Sequence, residues 1–178
     1  MSSYLPATDM ARFLRDMSQF VGIDESDVAA VKRSAAIVLK NADGLTAALY
    51  EHFLKFPRSA QFFLAPDGTV DVARVERRKH SLTRWLRETA EVATTGEFSH
   101  YLLMIGISHS HRAHGPGGVI PVHLMVGAMS LAQSALTRMF EAELSRDEAV
   151  AASVAWNKLL LVHLSVLLLG YVPPKPIL

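Results

Sequence analysis

YLLMIGISHSHRAHGPGGVIPVHLMVG, from Tyr101 to Gly127, is the stretch on which the reading of this chain turns. It begins as an apolar helix and ends as another. The second starts at Pro121, a residue suited to a helix N-terminus because its missing N–H would have no intrahelical partner there. Between the helices lie His109, His111 and His114, followed by the turn-forming Gly115-Pro116-Gly117-Gly118. A helix end that carries imidazoles into a loop is a place to hold a metal ion or a haem, and the surrounding chain has to choose between them.

The 178 residues show no internal break in composition, so a single domain over residues 1–178 is expected, with 172–178 as a tail or the start of a linker. Lys and Arg number 18 against 17 Asp and Glu, which lacks the basic surplus of a nucleic-acid footprint. The absence of cysteine rules out disulfides, thiolate metal sites, iron–sulfur clusters and thioether attachment of a haem. The N-terminus, MSSYLPATDM, has neither an apolar run nor a basic prefix, so no signal peptide is expected. The run Leu159 to Leu169 is interrupted by His163 and Ser165 and is shorter than the roughly 20 apolar residues a bilayer needs. A cytoplasmic protein with no membrane or nucleic-acid partner is the expectation. A hydrophobic content of 50% suggests an apolar ligand pocket, an oligomer interface, or both.

Helix formers dominate and alternating β-branched stretches are missing, which predicts an all-α fold. Within residues 1–22, Met10, Phe13, Leu14 and Met17 recur at helical spacing in a short first helix from Thr8 to Phe20, which Gly22 ends. A second helix is expected from Asp24–Asp27 to Asn41, with a break at Asp43-Gly44, and a third from Leu45 to Phe56, stopped by Pro57. A helical turn over Arg58 to Leu64 and a Pro66-Asp67-Gly68 turn lead to a long helix from Val70 to Val92. The histidine-bearing helix follows, from Phe98 to Arg112. The last two helices run from Val122 to Leu144 and, behind the capping box Ser145-x-x-Glu148, to Leu169. Leu159, Leu160, Leu161, Leu164 and Val166 to Leu169 nearly encircle the last one. Either it is central, or a partner chain buries its outer side; the second option makes the final two helices a homodimer interface.

Of the eight histidines, His109 stands on the face shared by Leu102 and Ile105, turned toward an apolar surround of Phe53, Phe62, Phe63, Met104, Leu124 and Met125. A haem iron would satisfy one of its ring nitrogens and a backbone carbonyl or Ser108 the other. The rival is zinc held by His109, His111 and His114, with His123 as a fourth ligand. Spacings of two and three do not gather those side chains on one helical face, and no Asp or Glu lies between His100 and Glu141 to orient them. Tyr50 sits on an apolar helix face. Its hydroxyl either reaches a backbone carbonyl or lies across a haem from His109. His80, off the inward stripe of its helix, reads as solvated. Hydrolytic motifs and a phosphate loop are not found.

Three segments resemble the sensor-globin family, the haem domains of bacterial globin-coupled sensors and the related protoglobins. Leu49-Tyr50-Glu-His-Phe-Leu-Lys-Phe-Pro57 resembles the family's B helix. Arg78-Lys-His-Ser81-Leu-Thr-Arg-Trp85-Leu resembles its E helix, and Ile105-Gly106-Ile-Ser-His109 its Ile-Gly-x-x-His. The resemblance implies a globin fold, a three-over-three helical sandwich with an additional N-terminal helix, around a noncovalent haem b. It implies His109 as proximal iron ligand and Tyr50 as distal donor, with Ser81 a distal polar residue. Leu82, Trp85, Phe53 and Phe63 would wall the distal side. Arg78 replaces a position often apolar in relatives, and Ile120-Pro121-Val122-His123-Leu124 replaces a segment that carries an aromatic hydroxyl near the haem, leaving His123 as a propionate or pocket residue. The implied function is reversible binding of O₂, CO and NO, signalled through the last two helices to a C-terminal output domain such as a diguanylate cyclase, histidine kinase or chemotaxis transducer. On that reading the domain is regulatory and carries no catalytic residue. The alternatives are a free-standing globin with NO dioxygenase or peroxidase-like activity and a non-haem helical metal-binding module.

Overall fold

The computed structural model describes residues 3–91, 96–111 and 118–177. Among them are seven α-helices: α1 (Met10–Phe20), α2 (Glu25–Lys55), α3 (Pro57–Ala60), α4 (Val72–Ala90), α5 (Gly96–Ser110), α6 (Val122–Glu143) and α7 (Arg146–Leu169). Local chemistry explains most of their ends. The Asp9 carboxylate accepts from the Arg12 N–H at the start of α1. Asp24 and Asp27 form a reciprocal capping box on α2, as Ser145 and Glu148 do on α7. Asp71 caps α4 and also pairs with Arg74 at 2.9 Å. Gly68, at a φ of 83°, makes the turn before α4 that a side chain would resist.

The expected break at Asp43-Gly44 does not occur. α2 runs unbroken for 31 residues. Ala42, Leu45, Thr46 and Leu49 form a continuous buried stripe through that point, and its packing offsets the roughly 1 kcal/mol that a mid-helix glycine costs. Asp43 stays in the helix and accepts from Thr83 of α4.

α7 lies at the centre. It packs against α1, α2, α5 and α6, while α2 also packs along α4 and α6. This central position, one of the two options for α7, accounts for most of its apolar girth. Eleven of its residues, from Ala149 to Leu167, are buried within a single chain, and Val150, Val154 and Leu161 are the large apolar side chains left exposed. By length and composition α7 could also cross a membrane, contrary to the expectation from its apolar run, but its apolar side chains are used in the core. Trp156 is fully buried and donates its indole N–H to Ser34 Oγ at 2.8 Å, tying α7 to α2. Lys158 joins the same helices by its ion pair with Asp27 at 2.7 Å.

The chain's two ends meet. Tyr4 and Ile177 exchange backbone hydrogen bonds of 2.9 and 2.8 Å, so residues 172–177 turn back beside α1 instead of prolonging α7.

Candidate functional site

α5 reaches its neighbours backbone to backbone. A Cβ placed on Gly106 would lie 2.1 Å from the carbonyl oxygen of Leu167, and one on Gly170 would lie 2.5 Å from the carbonyl carbon of Gly106. Only hydrogen at both positions permits that approach. It seats the last turn of α5 against the end of α7. Ser110 Oγ hydrogen-bonds the Gly170 carbonyl, which locks the contact.

His109 stands in that seated turn. Its Nδ1 is 2.6 Å from the Ile105 carbonyl oxygen. A carbonyl only accepts, so Nδ1 carries the proton and Nε2 presents its lone pair. Burial pushes the pKa of His109 down against the opposing pull of the Ile105 hydrogen bond, and the Arg78 charge pushes in the same direction as burial. The ring is therefore held neutral, oriented and ready to donate to a metal, which is what an axial ligand requires. Its own carbonyl accepts from the Ile120 N–H at 3.0 Å, and the Ile120 carbonyl accepts from the Tyr171 hydroxyl at 3.0 Å.

Tyr50, on α2, is only 8% exposed. Phe53 and Phe63 meet its ring edge-on, with centroids 5.6 and 5.5 Å away. Burial raises its pKa strongly and the Arg78 charge lowers it. Its hydroxyl makes no hydrogen bond among the described residues, an unusual state for a buried phenol. The Arg78 charge, on α4, acts on both Tyr50 and His109. A neutral imidazole with a free Nε2 on one element and an unpartnered phenol on another, among phenylalanines, fit a haem with an axial histidine and a polar group toward its ligand.

Other residues singled out in the sequence are placed less uniformly. Leu82 is half-buried against the core, and Phe53, Phe63 and Leu124 are also half-buried. Ser81 is exposed and returns its hydroxyl to the Arg77 carbonyl at 3.1 Å. Trp85 is buried against His163, with ring centroids 6.3 Å apart, and its indole N–H has no partner among the described residues. Met104 is 59% exposed, and His123 and His80 are exposed. His111 is exposed, with Nδ1 2.6 Å from Ser110 Oγ, and His114 lies outside the described residues. Among the described residues no group of three or more metal-ligating side chains is gathered for a zinc ion.

The sequence reading gave no role to His163. It lies at the centre of α7, 2% exposed, between Trp85 and Phe98. Burial lowers its pKa to about 3. A single imidazole in a leucine-rich run carries no phase signal that would have marked it out. The close approach of Gly106 to Gly170 was equally hidden, because the two glycines are 64 positions apart and meet only in the folded chain.

Comparison with known proteins agrees with this arrangement. No curated protein sequence matches the chain. Among solved structures, the chain is similar to the globin domain of the Geobacter sulfurreducens globin-coupled sensor, with a TM-score of 0.70 at 14% identity, covering 96% of this chain and 99% of that one. That likeness shows an all-α globin fold, in which α1 is the additional N-terminal helix. The protoglobin family model matches residues 10–175. Globins are haem proteins, and by a match over nearly its whole length the chain belongs to the protoglobin family.

Proposed function

We propose that residues 1–178 form one haem domain that senses a diatomic gas in the cytoplasm, with His109 as the axial ligand of a noncovalent haem b. The observation that carries this reading is the state of His109: neutral, half-buried, its Nδ1–H engaged by Ile105 and its Nε2 without a partner among the described residues. Haem supplies the iron at which O₂, CO or NO binds reversibly. Tyr50 supplies a hydrogen-bond donor toward the gas, and Phe53, Phe63 and Leu82 keep water away from it. In this reading Trp85 has a structural role beneath the pocket, and Ser81 and His123 stand at its rim.

The signal runs to the end of α7. The His109 turn is seated on Gly170, and the His109 carbonyl is linked through Ile120 to Tyr171. A change in the position of His109 therefore changes the packing of α5 on α7, which is the differential contact a two-state switch needs. The receiving surface is a homodimer interface. Val150, Val154 and Leu161 on α7 share one face, and Val122 and Val126 are exposed one turn apart on α6. A C-terminal output domain of the diguanylate cyclase, histidine kinase or chemotaxis-transducer class would read the change.

One observation favours a second reading. The tail pairs with Tyr4 and leaves the axis of α7, which suits a globin that turns over its ligand, with NO dioxygenase or peroxidase-like activity, over one that signals along that helix. Reductant-supported turnover of NO or peroxide would mark that role. The test common to both readings is addition of haem to the purified chain. A Soret band at one haem per chain supports them; no band after haem supplementation overturns them.

A further inference from the structure

The carbonyl of His109 lies in the last turn of α5, where backbone acceptors lack an intrahelical partner. It finds one in the Ile120 N–H at 3.0 Å, and the Ile120 carbonyl accepts in turn from the Tyr171 hydroxyl at 3.0 Å. Ile120 is thus held at both of its polar backbone groups, once by the histidine and once by the tyrosine. Tyr171 is half-buried, and burial pushes its phenol up to about 12, so it stays protonated and able to donate. It follows directly on Gly170, which is seated on the Gly106 backbone and accepts from Ser110 Oγ.

Beyond Tyr171 the chain is held a second time. Val172-Pro173-Pro174-Lys175-Pro176 places three prolines in five exposed residues. Each ring fixes its own φ, so the segment passes a displacement on more than it absorbs one. It ends at Ile177, which trades backbone hydrogen bonds of 2.9 and 2.8 Å with Tyr4, and both residues pack against the core. Tyr4 is itself tied to α1. Its hydroxyl donates to Asp16 at 2.8 Å, and the Arg12 guanidinium lies 4.0 Å from its ring centroid. Tyr171 therefore stands between two fixed points, the end of α7 and the clamp between the chain's two ends.

We propose that Tyr171 is a positioning residue for the His109 ligand, and that the clamp between Tyr4 and Ile177 sets how firmly it holds. The proposal rests on the haem reading. It runs opposite to a signal that leaves the iron along α7: the N-terminal segment acts on the iron site without touching it. The route is Tyr4, Ile177, the proline segment, Tyr171, Ile120 and the His109 backbone. By linkage, whatever loosens the clamp changes the axial ligand, and ligation changes the clamp to the same extent.

The test compares wild type with Tyr171→Phe, which keeps the ring and removes the donor, and with Ile177→Pro, which removes the N–H that Ile177 donates to Tyr4. Ser34→Ala, a destabilising change remote from this route, is the control. In the haem-free chain, amide hydrogen exchange at Ile120 is expected to quicken about fivefold or more in Tyr171→Phe, the loss of roughly one hydrogen bond. In the ferrous haem-loaded protein, the iron–histidine stretching band in resonance Raman spectra is expected to move in Tyr171→Phe. It should move in the same direction, by less, in Ile177→Pro and stay in place in Ser34→Ala. A band unmoved in Tyr171→Phe would overturn the positioning role, and one unmoved in Ile177→Pro would overturn the role of the clamp. An equal shift in Ser34→Ala would overturn both, because general loosening would then be the cause. A chain with no Soret band would sink the haem reading itself, whereas a haem-loaded chain with unmoved bands would sink this proposal alone.

Discussion

Gly106 and Gly170 touch through their backbones: a Cβ on Gly170 would lie 2.5 Å from the carbonyl carbon of Gly106. This contact holds the histidine-bearing turn against the end of the central helix, three residues before His109. It gives a physical reason for glycine in the Ile105-Gly106-Ile-Ser-His109 segment, where the neighbouring atoms are backbone and cannot rotate aside. Gly106→Ala is expected to destabilise the fold by about 3 kcal/mol, the upper end for inserting a methyl group into a packed interior. Gly44, mid-helix with nothing within 4 Å of its would-be Cβ, is the control. Gly44→Ala is expected to stabilise by about 0.5–1 kcal/mol. Denaturant midpoints of the two variants check the contrast, and similar shifts in both would contradict it.

His163 makes acid stability testable. The folded chain keeps it neutral down to about pH 3, whereas the unfolded chain protonates it near its ordinary value of 6.5. Below that value the unfolded state binds the extra proton, so stability is fully present above about pH 6.5 and is lost as pH falls toward 3. The slope for one such group is at most about 1.4 kcal/mol per pH unit. His109, whose pKa burial also lowers, adds in the same direction when no haem is present. His163→Phe is expected to make the loss of stability between pH 6.5 and 4.5 shallower, measured by urea unfolding across that range. An unchanged slope would show that His163 is not its source.

Ser34 accepts from Trp156 and donates to the Ala30 carbonyl at 2.8 Å. Ser34→Ala leaves a fully buried indole N–H without a partner. The expected cost is about 1–3 kcal/mol, read as a lower urea midpoint with an unchanged m-value. A change within experimental error would mean that the indole finds another acceptor.

The exposed stripe of α7 tests assembly. Val154→Arg puts a charge at the middle of the Val150–Leu161 face without touching the core. Light scattering is expected to show a dimer for wild type and a monomer for the variant, with the helical signal retained. A wild-type monomer, or a dimer that survives the substitution, would remove this face as the interface.

Tyr50→Phe keeps the edge-on packing with Phe53 and Phe63 and removes only the hydroxyl. O₂ dissociation is expected to quicken about tenfold, the loss of roughly one hydrogen bond. An unchanged off-rate in stopped-flow measurements would exclude Tyr50 as the donor.

Local signals carried much of the fold. Asp24 with Asp27, and Ser145 with Glu148, announce helix starts that the structure reproduces, and the spacing of Met10, Phe13 and Leu14 marks the buried face of α1. Asp43-Gly44 misled because turn-forming residues state only a local preference, and the buried stripe of α2 overrides it. Tyr50 and His109 stood out in the sequence as polar groups on apolar faces, and the structure buries the first and half-buries the second. The exposure of Ser81 and the burial of Trp85 were less legible, since one residue of helical phase separates a side chain facing solvent from one facing the core.

The central claim is that His109 holds a haem iron. Absorption spectra of wild type and His109→Ala, ferric, ferrous and with CO, test it most directly. The account predicts a Soret band in wild type that moves on reduction and on addition of CO, and in His109→Ala altered ferrous and CO spectra with weakened haem retention. Identical spectra and equal haem retention in the two proteins would contradict it.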